Sequence, residues 1–117
     1  MLLVGQVSSQ ELKSLATDVV REIEDVRRIY NELEIGEATG AGTRTNDTWI
    51  TTQVKSKLLA SSDTPGRRVK VVTENSVVYL MGLLTEAEAD RVALEAAEVS
   101  GTERVVQLFE LIPAPAI

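Results

Sequence analysis

The stretch Arg67–Gly82, RRVKVVTENSVVYLMG, sets two β-branched runs on either side of a polar break. Arg68–Thr73 and Val77–Met81 read as the strands of a hairpin, with Glu-Asn-Ser as its turn. Downstream, Thr85 and Glu88 have the spacing of a capping box, and a helix follows. Ala89, Val92, Ala93, Ala96, Ala97 and Val99 recur at helical spacing, then Ser-Gly-Thr breaks the chain before a last strand, Glu103–Ile112. Upstream, Asn46–Asp63, NDTWITTQVKSKLLASSD, also has helical periodicity. The order is therefore α-β-β-α-β. A three-stranded mixed sheet with two helices on one face follows from it, an α+β two-layer sandwich.

Part of this unit occurs twice. LLVGQVSSQEL near the start parallels VYLMGLLTEAEA: Gly5 matches Gly82, Ser8 matches Thr85 as helix cap, and Glu11 matches Glu88. Leu12, Leu15, Ala16, Val19, Val20 and Ile23 give the first copy a helix. The turn EDV and a strand, Arg27–Ile35, complete it. Gly5 to Asp25 is one residue longer than Gly82 to Gly101, so a single-residue slip separates the copies. The first copy is only β-α-β, which lacks the strand and helix a sandwich needs. Its open sheet edge invites pairing. The expected organisation is a partial first unit over residues 1–37, a linker over 38–46 (within GEATGAGTRT), a complete unit over 47–112 and a tail over 113–117. Pro113 and Pro115 end the last strand. A homo-oligomer, by exchange of segments between chains if not by simple pairing, is the expected way to complete the first unit.

Composition narrows the chemistry. The 117 residues include no Cys and no His, which removes thiolate and imidazole nucleophiles, bases and metal ligands together. Paired acids at Glu24/Asp25 and at Glu86/Glu88/Asp90 sit at a turn and at a helix N-terminus, where acids are favoured without catalysis. Thr64–Arg68, TPGRR, reads as a turn supplying charge, and Tyr30 and Tyr79 as packing residues in strands. Neither catalytic residues, nor a metal, nor a cofactor is expected. Net charge is −6, against nucleic-acid binding, yet Arg44–Lys70 carries six basic and two acidic residues, +4 against −10 for the remainder. No apolar run approaches the ~20 residues of a membrane span, and the first ten residues lack a signal-peptide pattern.

VKVVTENSVVYLMGLLTEAEADRV and VSGTERVVQLFELI resemble the BON-domain family, named for bacterial osmotic-shock and nodulation proteins. LLVGQ, YNELEIGEA and NDTWITTQVKSKLL, in that order, are similar to its dual-domain outer-membrane lipoproteins. The resemblance implies a chain that begins inside a first BON domain, and a full-length family located at the periplasm and the inner leaflet of the outer membrane. Those family members carry a signal peptide and a lipidated Cys, and the expectation from these 117 residues is a chain with neither. It also implies phospholipid binding, especially to anionic lipid, through the first helix of the second domain, in support of envelope integrity and without catalysis.

The single Trp gives that helix a separate reading. At 100° per residue from Trp49, Ile50, Val54 and Leu58 fall near 100–180° and form the core stripe. Gln53, Ser56 and Ala60 lie within about 40° of Trp49, so the outer face is small, uncharged and topped by an indole. Lys55 and Lys57 flank it on opposite sides, and Leu59 extends it at the far edge. Trp at the headgroup zone with lysines reaching anionic phosphates is the pattern of an interfacial contact. Four basic residues near an anionic surface supply on the order of 4 kcal/mol. The expected lipid-binding set is Trp49, Gln53, Lys55, Lys57 and Leu59, with Ile50, Val54 and Leu58 reaching lipid only by their edges. The alternative is a structural protein–protein module, in which Trp49 and the open sheet edge form the interface.

Overall fold

The computed structural model describes residues 1–37, 40–61 and 64–113. The chain forms two compact units, Met1–Gly40 and Ala41–Ile117. The first holds β1 (Leu2–Val7), α1 (Gln10–Arg21) and β2 (Tyr30–Ile35). The second holds α2 (Ala41–Ala60), a 3-10 turn (Gly66–Arg68), β3 (Lys70–Glu74), β4 (Val77–Leu84), α3 (Glu86–Ala97) and β5 (Arg104–Leu111). The tail beyond Pro113, with Pro115, lies outside the described residues, as do Ala38–Thr39 of the linker reading and Asp63.

In the second unit β3 runs antiparallel to β4, and β4 parallel to β5, giving the mixed order β3-β4-β5. Alternation along β4 sends Val78, Leu80 and Leu84 into one cluster with Ile50, Val54 and Leu58 of α2 and Ala89, Val92, Ala93 and Ala96 of α3. The small side chains of α3 let the two helices lie close on the sheet. The buried members of this cluster are all aliphatic, and Phe109 of β5 packs against it with Val69 and Val105.

Three local readings are corrected. The hairpin turn is two residues, not three: Glu74 pairs with Val77, and Asn75 and Ser76 both take positive φ (50° and 64°). This is the geometry whose twist matches a two-residue hairpin. The first strand starts at Lys70, because Gly66–Arg68 curls into a 3-10 turn. Helix α2 begins at Ala41, inside the stretch that Gly and Thr mark as linker. Thr45, Thr48 and Thr52 donate their hydroxyls to the carbonyls of Ala41, Arg44 and Thr48, which satisfies these hydroxyls within the helix. Asp47, buried within α2, accepts from the N–H groups of Asn75 and Ser76, both at 2.8 Å, and so ties the helix to the hairpin turn.

The repeat is real, with its slip at the strand-to-helix turn. Ser9, not Ser8, caps α1, accepting from the Leu12 N–H. Glu11 therefore sits one position short of N3, and no capping box forms there. Thr85 caps α3 with the full box completed by Glu88. Aligned on their caps, the helices match in length, and Asp25 and Gly101 both take positive φ (70° and 91°) after them. Gly5 and Gly82 also share positive φ (129° and 154°).

A Cβ at Gly82 would stand 2.5 Å from the Arg68 carbonyl oxygen, whereas at Gly5 its nearest neighbour is a flexible Leu33 methyl at 3.9 Å. Gly82→Ala therefore costs more than Gly5→Ala, by about 1–3 kcal/mol in urea unfolding. Glu88 Oε1 accepts from the Thr85 N–H and Oε2 accepts from Arg68 at 2.6 Å; the Thr85 backbone bond first, with Arg68 adding to it, holds its carboxyl below the ordinary carboxylate range. Its contribution to stability is present above the unfolded pKa of about 4.3 and is lost as pH falls through the lowered folded value. Glu88→Gln flattens that acid-side loss in unfolding titrations carried from neutral pH to about pH 3.

Candidate lipid-contact face

The inward face of α2 is sealed: Ile50 and Val54 are 0% exposed and Leu58 is 1% exposed. The expectation that their edges reach the surface is corrected. They seat the helix and take no part in an external contact. That seating turns the opposite face outward. Trp49 is 48% exposed and Leu59 60%. Gln53, Ser56 and Lys55 are exposed with them. Ten residues of helix put Trp49 and Leu59 about 15 Å apart along the axis.

The two ends of the face differ. Around Trp49 a shallow groove of about 470 Å³ lies between α2 and the end of α3, with Gln53, Lys57, Glu98 and Ser100 on its walls. The Lys57 ammonium sits 2.7 Å from Glu98, so this lysine is not the free cation its sequence position suggests. Both partners remain substantially exposed, which limits such a pair to under about 1 kcal/mol. At the other end a smaller hollow of about 280 Å³ is lined by Leu58, Leu59, Pro65, Gly66 and the two arginines. Arg68 is engaged with Glu88 at 2.6 Å. Arg67 is exposed beside Leu59 and, with Lys55, makes no ion pair among the described residues. The positive window thus delivers fewer free charges than its count implies, because α3 supplies carboxylates to two of them. Glu98 and Ser100 were missed by the sequence reading of the site. Only the packing of α3 against α2 brings them to Trp49.

Two further facts bound the chemistry. Among the described residues no helix is long and apolar enough to cross a membrane. Nor, among them, does any group of acidic residues have the arrangement of a metal site.

The BON domain model matches residues 2–37 and 46–113, most of the chain and both of its units. This protein belongs to the BON-domain family. It is 40% identical over 112 residues to the 21 kDa hemolysin of Actinobacillus pleuropneumoniae, covering 96% of this chain and 58% of that one. The outer membrane lipoprotein DolP of Haemophilus influenzae is 35% identical over 112 residues, with the same coverage. The osmotically-inducible protein Y of Escherichia coli is 34% identical over 106 residues, 88% of this chain and 53% of its own. The chain thus spans a little over half the length of these relatives. Among solved structures, the C-terminal domain of CdsD, a structural protein of the type III secretion system of Chlamydia trachomatis, superposes with a TM-score of 0.47 at 17% identity, covering 96% of this chain and 52% of that one.

With Trp49 exposed, its emission in vesicle-free solution is expected near that of a solvated indole and readily quenched by acrylamide. Glu98→Gln, which frees Lys57, should change unfolding stability by less than about 1 kcal/mol.

Proposed function

We propose that this BON protein makes a non-enzymatic, reversible contact with anionic phospholipid at the bacterial envelope through the outward face of α2. The observation that carries the proposal is the exposure of Trp49 and Leu59 on one face of a helix whose other face is sealed in the core. An indole and an isobutyl group on a rigid, otherwise small and uncharged surface suit the headgroup boundary. Lys55 and Arg67 stand at the Leu59 end, and each adds about 1 kcal/mol toward an anionic surface. The name of the Haemophilus influenzae relative, an outer membrane lipoprotein, supports an envelope setting. No pocket with convergent reactive groups competes with this reading among the described residues.

The contact is weak alone and sensitive to salt, since roughly half of it is electrostatic and screened beyond about 8 Å at physiological ionic strength. Vesicle co-sedimentation at low salt tests it. Trp49→Ala and Leu59→Ser should each weaken binding to anionic vesicles about tenfold, the size expected for removing one large apolar side chain from the interface. Leu94→Ser, a change to an exposed residue of α3, should leave it unchanged. Equal binding by all three proteins would remove the α2 face from consideration.

A further inference from the structure

The groove at Trp49 has one cation and one carboxylate among the described residues that line it, Lys57 and Glu98, paired at 2.7 Å. Exposure is uneven within the pair. The Glu98 side chain keeps 56% of its surface open, and that of Lys57 only 35%. A surface approaching this end of the face therefore meets the carboxylate at least as readily as the ammonium. At longer range the two charges cancel, so the Trp49 end offers an anionic bilayer no net attraction. The Leu59 end differs, because Lys55 and Arg67 make no ion pair among the described residues.

Helix stability gives no reason for an acid at this position. Glu98 is the C-cap of α3, and the last turn of that helix has no basic residue. The C-terminal end of a helix carries partial negative charge, which disfavours a carboxylate there. A pair as exposed as Lys57 and Glu98 returns little stability. The capping hydrogen bonds at Glu98 run from its backbone N–H to the Leu94, Glu95 and Ala96 carbonyls, which any residue but proline would supply. What the side chain itself does is hold an ammonium at the wall of the groove.

We infer that Glu98 sets the selectivity of the α2 face: its carboxylate occupies Lys57 in place of a lipid phosphate and restricts firm contact to densely anionic surfaces. The inference rests on the lipid contact proposed above and concerns the regulation of that same face. A phosphodiester oxygen and a carboxylate oxygen are competing acceptors for one ammonium. Where anionic headgroups are sparse, Glu98 keeps the lysine, and its own charge opposes approach of the Trp49 end. Where they are dense, phosphates outnumber the single carboxylate and Lys57 exchanges partners. The flexible four-carbon stem of lysine allows that exchange without movement of α2. The Leu59 end, with Lys55 and Arg67, makes the first contact, and release of Lys57 admits the Trp49 end.

Co-sedimentation of the full chain with vesicles of phosphatidylcholine and a rising fraction of phosphatidylglycerol, at physiological ionic strength, tests the inference. Glu98→Gln removes one negative charge from the groove and frees one positive charge, each changing affinity about fivefold at an anionic surface. At a low phosphatidylglycerol fraction this variant should bind at least about fivefold more tightly than wild type, with unchanged far-UV circular dichroism. Its half-maximal binding should move to a lower phosphatidylglycerol fraction. Asp90→Asn makes the same change in net charge on α3 but lies eight residues from Glu98, about 12 Å along the axis and beyond the screening length of about 8 Å. It should change binding less than about twofold. Lys57→Met added to Glu98→Gln should cancel most of the gain. Wild type that binds while Glu98→Gln binds no more tightly would overturn the role of Glu98 and leave the lipid contact standing. A gain equalled by Asp90→Asn, or kept in the double variant, would overturn it likewise. Failure of both wild type and Glu98→Gln to bind at any phosphatidylglycerol fraction would overturn the lipid contact itself, and this inference with it.

Discussion

The seating of α2 on the β3-β4-β5 sheet is the contact from which the rest of the complete BON unit takes its form. Ile50, Val54 and Leu58 enter one cluster with Leu80, Val92 and Ala96, and truncating Ile50 or Leu58 to Ala would cost about 2–5 kcal/mol. Asp47 adds a polar pin, accepting two backbone hydrogen bonds from the hairpin turn. These contacts fix both the position and the rotation of the helix. Once the rotation is fixed, Trp49 and Leu59 fall on the outward side of a helix anchored to the core beneath it.

That anchoring favours the proposed interfacial contact. A flexible amphipathic segment must pay conformational entropy to fold at a membrane. Here the apolar side chains are already held at one face by a folded domain, so little ordering remains. The same helix carries its counter-charges unevenly. Lys57 is engaged with Glu98, and Arg68 with Glu88, leaving Lys55 and Arg67 toward the Leu59 end. The face therefore has an end with the indole and a cationic end.

Much of this was legible in the chain itself, for identifiable reasons. The mixed α+β sandwich and the core stripe of α2 follow from local periodicity, which a single sequence carries in full. The glycine pair Gly5 and Gly82 and the cap at Thr85 followed from short motifs that need no tertiary partner. What escaped was decided at long range or by one residue of register. Ser9 replaces Ser8 as the cap of α1 because the extra residue of the repeat lies before the helix rather than after it. The first turns of α2 read as linker because Gly and Thr weigh against helix in isolation, whereas Asp47, tied to the hairpin turn, anchors this end of the helix in the fold. Lys57 and Arg68 looked free because their carboxylate partners are 41 and 20 residues away. The role of Asp47 depends on a turn 28 residues downstream.

The most direct measurement is quenching of Trp49 by bromine-labelled acyl chains in anionic vesicles, with bound protein confirmed by co-sedimentation. Trp49 is the only tryptophan, so the signal has one source. Strong quenching by bromines near the headgroups, fading as the label moves toward the bilayer centre, is the predicted result for an indole at the interface. Protein that sediments with the vesicles while Trp49 stays unquenched at every depth would contradict a lipid-facing α2.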